Sequence, residues 1–203
     1  ELGLPIDLLN PVFPKKSPLA PDILKITGTK DEPWIGIAPF AQHKGKVYPA
    51  DLMQEVISKL ASSNQYRLFL FGGGKAEATA LNKFANGHDN VVVTAGKLKL
   101  GQELSLMSHL DAMLSMDSGN AHMAAMLGVK VITLWGATHP YAGYAPFNQP
   151  LENALTANRE KYPLLPTSVY GNKEVEGYED AMRTISPHVI VDKIEQIIKK
   201  DEY

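Results

Sequence analysis

The residues best suited to chemistry lie where an apolar stretch of the sequence gives way to small polar residues, at positions 116–122. The sequence there is Met-Asp-Ser-Gly-Asn-Ala-His, which predicts a buried strand running directly into a helix. At such a helix start the N–H groups of Ser118, Gly119 and Asn120 lack intrahelical acceptors and lie at the positive end of the helix dipole. The pattern therefore predicts a phosphate site. A plain capping turn, with Asp117 or Ser118 as the capping residue, is the alternative.

A second glycine-rich turn, at residues 72–75, also follows a predicted strand. It is not a Walker A loop, because Phe69 stands where the first Gly is needed and Ala76 where Ser or Thr is needed. Glu77 occupies the third required glycine position of the dinucleotide fingerprint, which excludes that motif as well. The turn either lies beside a ligand or only connects a strand to a helix.

Three basic or titratable side chains lie on the loop after the first predicted strand: His43, Lys44 and Lys46. A lysine placed there could contact a diphosphate as a point charge. For Lys44, a solvated charge on an exposed loop explains the residue equally well.

Composition and missing motifs exclude several classes of site. The chain has no Cys, no Asp-x-Asp pair, and six His without HExxH spacing, so we expect no metal. The sequence contains no GxSxG nucleophile elbow, the motif of many serine hydrolases. The net charge of −2 indicates no nucleic-acid partner. No apolar run approaches the roughly 18 residues of a membrane span, so we expect any membrane contact to be peripheral.

Five predicted strands alternate with helices over about a hundred residues. Strands are predicted at 34–39, 66–71, 91–94, 112–116 and 130–135, and helices at 51–60, 76–85, 102–108 and 120–127, the last ended by Gly128. The strands are near-continuous apolar runs, which is typical of parallel strands buried on both faces. The sequence therefore predicts an α/β fold with a Rossmann-like, doubly wound parallel sheet. Ligands bind at the carboxyl ends of the strands in such sheets.

The flanking regions differ in character. Proline recurs through residues 1–32 and removes backbone donors, so we predict a linker from a preceding domain; a frayed terminus is the alternative. Residues 33–150 form the predicted nucleotide-binding domain. Residues 151–203 are predicted to be an extension, irregular to 177, with a short helix at 178–184 and a final helix at 189–200. Ser186 and Pro187 suit the cap and first position of that last helix.

The segments 115–125 and 134–140, taken together, resemble the C-terminal domain of the family 9 glycosyltransferases. This family includes the ADP-heptose:lipopolysaccharide heptosyltransferases. The resemblance extends over residues 34–148, with weaker similarity at 170–173. Ala137 stands where the family usually has Pro, and His139 where Asp is common. These departures concern the contacts to the sugar and not those to the phosphates.

The resemblance implies that this chain is one half of a GT-B architecture, the half that binds the nucleotide-sugar donor. The donor-binding residues it implies are Lys46, Glu77, Leu98, Lys99, Asp117, Ser118, Gly119 and Asn120. Among these, Lys46 and the helix start would contact phosphate, and Asp117 would lie near the donor. Glu77 is the candidate for the ribose, and Leu98 and Lys99 for the adenine. His122 would orient the helix.

The implied reaction is the inverting transfer of a heptose from ADP-heptose to a lipid-linked saccharide of the lipopolysaccharide core, without a metal cofactor. The family places the general base in the N-terminal domain, so we expect no catalytic residue in this chain and no activity from it alone. A cytoplasmic protein, at most peripheral to the inner membrane, is implied. The alternatives are a non-catalytic nucleotide-binding module and a GT-B transferase or epimerase using another nucleotide sugar.

Overall fold

A computed structural model describes residues 7–8 and 10–200. Its centre is a six-stranded sheet in which every neighbouring pair is parallel. The strands are β1 (Trp34–Ala38), β2 (Arg67–Leu70), β3 (Val91–Val93), β4 (Ala112–Met116), β5 (Lys130–Trp135) and β6 (Ala154–Thr156). Their spatial order is β3-β2-β1-β4-β5-β6. The chain therefore winds outward from β1 to β3 and then returns to start β4 beside β1, which makes the gap between β1 and β4 the topological switch point.

Helices cover both faces of the sheet. They are α1 (Pro21–Thr27), α2 (Ala50–Ser62), α3 (Gly74–Ala85), α4 (Leu100–Met107), α5 (Gly119–Met126) and α6 (Pro187–Lys199). One face of the sheet packs with α2, α3 and α6, and the other with α1, α4 and α5. All five residues of β1 and of β4 are buried. The doubly wound α/β fold predicted from the apolar strands is thus confirmed.

Local signals in the sequence explain where several helices begin and end. In α2, the buried residues Met53, Val56, Ile57 and Leu60 recur at three- and four-residue spacing and form a single apolar stripe. Helix α5 ends at Met126, and Gly128, just beyond the cap residue Leu127, has a φ of 78° in the left-handed region that glycine adopts easily. At α6, the Ser186 hydroxyl accepts a hydrogen bond from the Val189 N–H, as the cap prediction requires.

The N-terminal region is more ordered than its prolines indicate. The segment predicted as a linker, residues 1–32, contains the helix α1, and residues 1–6 and 9 lie outside the described part of the chain. Pro21 occupies the first turn of α1, where a missing N–H costs no hydrogen bond. No further proline interrupts the helix, and Ile23 is buried in the core beneath it. Pro21 therefore marks the start of α1 and does not prevent the helix from forming.

The sheet continues past residue 150, where the predicted nucleotide-binding domain ends. Strand β6, in a segment predicted to be irregular, pairs with β5 with Ala154 opposite Thr133. Helix α6 packs on α2 and on the sheet through Ile190 and Ile194, which are fully buried. The predicted short helix at 178–184 is a 3-10 turn over Ala181–Thr184. The C-terminal extension thus belongs to the same core as the strands.

Candidate functional site

An ion pair spans the switch point of the sheet. The Lys46 Nζ atom lies 2.8 Å from Oδ2 of Asp117. Lys46 lies on the loop after β1, and Asp117 follows β4 directly. Their side chains are only 15% and 7% exposed, so the pair is largely removed from water and is weakly screened by salt. The structure thus brings together two of the residues predicted for the donor site.

The loop after β5 adds a third member to this pair. The Thr138 hydroxyl, which is buried, donates a hydrogen bond of 2.8 Å to the same Asp117 oxygen. A buried carboxylate is costly unless it is paired and hydrogen-bonded, and Asp117 meets both conditions through Oδ2. Loops from three neighbouring strands therefore converge on one carboxylate.

Backbone contacts hold these loops together. The Ala137 N–H donates to the Gly45 carbonyl at 2.8 Å, and the Thr167 N–H donates to the Ala137 carbonyl at 2.9 Å. A Cβ atom on Gly45 would lie 2.7 Å from the Ala137 methyl, and one on Gly136 would collide with the Gly45 carbonyl oxygen. The loops after β1 and β5 can approach this closely only because both positions are glycine.

A loop of the C-terminal region covers the lysine. Gly171 has φ +72°, and a Cβ placed on it would lie 2.8 Å from Cδ of Lys46 and 2.9 Å from Cγ2 of Thr138. The Gly171 backbone therefore packs directly on the aliphatic part of the Lys46 side chain. This contact restricts the directions in which the ammonium group can point.

The start of α5 is open, as an anion site requires. Ser118 occupies the capping position, but its hydroxyl lies 3.1 Å from that of Ser115 and does not cap the helix. Nothing lies within 4 Å of a Cβ built on Gly119. Among the described residues, none accepts a hydrogen bond from the N–H of Gly119 or Asn120. Ser118 is thus the cap residue by position, as the alternative interpretation had it, but its side chain makes no capping hydrogen bond, and two amides remain available at the positive end of the helix.

A small cavity opens above the ion pair. Its volume is about 100 Å³, and it is lined by Gln42, His43, Lys46, Asp117, Tyr144, Val169 and Tyr170. The Tyr144 and Tyr170 rings are 6.1 Å apart between centroids, at an interplanar angle of 54°. Partial desolvation, a hydrogen bond with Tyr170 and the nearby Asp117 carboxylate raise the pKa of Tyr144 above its ordinary value. The hydroxyl therefore stays protonated at neutral pH.

The remaining predicted residues lie on the other side of β1, after β2 and β3. The Glu77 carboxylate accepts a 2.7 Å hydrogen bond from the Gly73 N–H and closes the glycine-rich turn. Leu98 is half-buried against the core formed with α1, α4 and α5, and Lys99 is exposed immediately before α4. Since the carboxyl ends of parallel strands share one edge of the sheet, these residues lie on the same edge as the ion pair. Their roles at the nucleoside stay predictions.

Sequence reasoning assigned no site role to four residues that the structure places at the ion pair. Thr138 carried a usable signal, since it is a polar residue just beyond a buried strand. Tyr170 and Gly171 lie in the segment of weaker family similarity, which gave them no role. Tyr144 carried no signal, because no local pattern shows that its segment folds back over the loop after β1.

Two further features of the described residues bear on function. Residues 7–8 and 10–200 hold no group of three His, Cys, Asp or Glu side chains arranged to bind a metal ion. Within the same ranges, the helices are all too short or too polar to cross a membrane.

The strand order and the polar groups at the β1–β4 switch point place the chain in the Rossmann-like class of α/β proteins. The profile described as glycosyltransferase family 9 (heptosyltransferase) matches residues 2–176. The chain therefore belongs to glycosyltransferase family 9.

Curated relatives agree with this assignment. Lipooligosaccharide heptosyltransferase 2 from Haemophilus influenzae is 28% identical over 181 residues, which cover 84% of this chain and 49% of the relative. Lipopolysaccharide heptosyltransferase 3 from Escherichia coli K12 is 25% identical over 142 residues, covering 69% of this chain and 41% of the relative. The chain thus spans about half the length, or less, of the curated relatives it matches.

Solved structures show the same fold. The E. coli ADP-heptose lipopolysaccharide heptosyltransferase II is similar with a TM-score of 0.67 and 22% identity, over 90% of this chain and 51% of that one. A family 9 glycosyltransferase from Veillonella parvula gives a TM-score of 0.68 and 20% identity, over 88% and 50% of the two chains. This chain therefore has the fold of one half of a GT-B glycosyltransferase.

Proposed function

We propose that this chain is the donor-binding half of an inverting heptosyltransferase of lipopolysaccharide core synthesis, with ADP-heptose as the donor. The observation that carries the proposal is the open start of α5 next to the Lys46–Asp117 pair at the switch point of the sheet. Two similar E. coli heptosyltransferase structures contain ADP and ADP-2-deoxy-2-fluoro heptose, which supports the choice of nucleotide and sugar.

The diphosphate would bind to the N–H groups of Gly119 and Asn120. Backbone amides and the helix dipole favour an anion there without any side-chain rearrangement. A lysine ammonium has three donors, so Lys46 can keep its contact with Asp117 and still donate to a phosphate oxygen at the cavity mouth. Glu77 would bind the ribose, and Leu98 and Lys99 would contact the adenine.

The chemical task of these groups follows from where charge develops. Breaking the bond between the sugar and the diphosphate leaves an additional negative charge on the departing ADP. Fixed amides, the α5 dipole and Lys46 would stabilise that charge in the transition state, so the mechanism needs no metal. The attacking hydroxyl of the lipid-linked acceptor needs a base within hydrogen-bond reach, which we assign to a second domain. The reaction would take place in the cytoplasm, at the surface of the inner membrane.

Titration of the chain with ADP, UDP, GDP and NAD by calorimetry tests the nucleotide assignment. We expect ADP to bind best, and we expect Lys46→Ala to weaken binding about tenfold or more, since a direct charged contact contributes on the order of 1.5–3 kcal/mol. Preference for UDP or GDP would redirect the proposal to another nucleotide sugar. The absence of binding to any of the four nucleotides would contradict it.

A further inference from the structure

The cavity above the ion pair has walls unlike those of a phosphate site. Tyr144 follows the 3-10 turn beyond β5, whereas Tyr170 comes from the loop that precedes Gly171. The two segments place their rings 6.1 Å apart over the Lys46–Asp117 pair. Tyr170 is 63% exposed. A large exposed aromatic ring beside a polar floor is typical of a ligand-contacting residue.

The floor of this cavity is electrically balanced. Lys46 and Asp117 contribute one positive and one negative charge 2.8 Å apart, so the floor offers little net attraction to a dianion. It does match hydroxyl groups, because the carboxylate accepts hydrogen bonds and the ammonium donates them. Lys46 and Thr138 both contact Oδ2 of Asp117, and no described residue donates to Oδ1. That oxygen is left for a hydroxyl of the ligand.

The position of the cavity selects the part of the donor that enters it. Asp117, which lines the cavity, is two residues from Gly119, so the cavity lies beside the start of α5, although no residue of that helix lines it. The group that occupies it must be attached to a phosphate, must be uncharged, and must present hydroxyls to the floor and apolar C–H faces to the rings. The cavity is open at its mouth, as the entry of a sugar ring requires.

We propose that Tyr170 and Tyr144 form the wall of the sugar subsite, with Tyr170 determining how strongly the sugar of the donor is held. This inference rests on the proposed function, because it takes the diphosphate to be bound at α5. Two residues outside segments 115–125 and 134–140 would then distinguish a nucleotide sugar from the free nucleotide.

Calorimetry with ADP and with ADP-heptose measures the contribution of the sugar as the ratio of the two dissociation constants. We expect Tyr170→Ala to leave the ADP dissociation constant unchanged and to reduce this ratio about three- to tenfold, since an aromatic contact contributes about 0.5–1.5 kcal/mol beyond its area. Tyr170→Phe keeps the ring and should keep the ratio. Tyr141→Ala is the matched control, because Tyr141 is 76% exposed and does not line the cavity.

Other results of the calorimetry would overturn the sugar-subsite proposal. If Tyr170→Ala weakens ADP and ADP-heptose equally, Tyr170 contacts the nucleotide and the sugar-subsite proposal is overturned. An unchanged ratio in Tyr170→Ala, or a wild-type ratio of one, also overturns it while the donor-site proposal stands. Failure of the wild-type chain to bind either compound overturns both proposals.

Discussion

Gly171 packs so closely against Lys46 that a methyl group in place of its hydrogen would lie 2.8 Å from both Cγ and Cδ of the lysine. The two residues are far apart in the sequence: Lys46 lies on the loop after β1, and Gly171 lies beyond β6. The contact links the C-terminal region to the ion pair at the switch point. It therefore makes the orientation of Lys46 depend on a segment outside the central strands.

A pair of glycine substitutions tests this link. Gly171 (φ +72°) and Gly177 (φ +81°) share a left-handed backbone, but a Cβ on Gly177 would meet nothing within 4 Å. Gly177→Ala should therefore cost only the backbone strain, about 1–2 kcal/mol. Gly171→Ala should cost about 1–3 kcal/mol more because of the clash with Lys46 and Thr138, and it should also weaken ADP binding. Thermal unfolding and calorimetry measure the two effects, and equal behaviour of both variants would refute the packing argument.

The Lys46–Asp117 pair should show energetic coupling. Removal of either charge leaves the other poorly solvated, because both side chains are mostly buried. In a double-mutant cycle of Lys46→Met and Asp117→Asn, monitored by urea unfolding, we expect an interaction energy of about 1–3 kcal/mol. Additive single effects would show that the ion pair contributes nothing to stability. Arg183 and Asp51, an exposed pair at 2.8 Å, provide the control cycle, with an expected coupling below about 1 kcal/mol.

Helix α6 should contribute to the stability of the whole sheet. Ile194 is fully buried between α2 and the strands, whereas Val189 on the same helix is 48% exposed. Ile194→Ala should lower the free energy of unfolding by about 2–5 kcal/mol, and Val189→Ala should have little effect. A single cooperative transition is expected in both variants. A separate early transition for α6 would mean that residues beyond 150 fold apart from the sheet.

The sequence predicts the central part of the fold well and its edges poorly, for physical reasons. Strands β1 and β4 are buried on both faces, so their apolar runs are unmistakable. Strand β6 has three residues, one of them exposed, and it exists only because β5 offers a free edge. Such a short strand leaves no periodic signal. Helix α1 was missed because its flanking prolines dominate the local composition.

The same distinction applies to the site. The helix start at Gly119 was predictable, because a strand-to-helix turn with small polar residues is a local pattern. The pairing of Lys46 with Asp117 was not, since it depends on β1 and β4 being neighbours in the sheet. The tyrosine wall depends on the return of the C-terminal region over the loop after β1. Contacts of that kind appear only in the folded chain.

His139 should make the stability of the folded chain depend on pH. Desolvation and the nearby Arg159 lower the pKa of His139, and its Nδ1 accepts a hydrogen bond from the Tyr141 N–H, which requires the unprotonated nitrogen. Because the folded pKa lies below the unfolded value of about 6.5, the unfolded chain binds more protons between these two values. Stability should therefore fall as pH drops through that window. Comparison of melting temperatures at pH 7.5 and 5.5 should show a smaller decrease for His139→Gln than for the wild type; an equal decrease would exclude His139 as the cause.

The proposed function depends most on the docking of a diphosphate at the open start of α5, and Gly119→Asp tests that docking directly. A Cβ at position 119 meets no atom within 4 Å, and a carboxylate in the first turn favours the helix through its dipole. The melting temperature should therefore hold or rise. Gln65 is exposed and lies just before β2, at the amino-terminal end of the strands and away from the site. Gln65→Glu makes the same change in net charge and is the control.

The decisive measurement is the ADP dissociation constant of Gly119→Asp by calorimetry. We expect an increase of about tenfold or more, which corresponds to roughly 1.4 kcal/mol, in a variant that is at least as stable as the wild type, and no change in Gln65→Glu. ADP binding of wild-type strength in Gly119→Asp would contradict the proposed donor site, because a diphosphate cannot occupy the α5 amides beside an added carboxylate without loss of affinity.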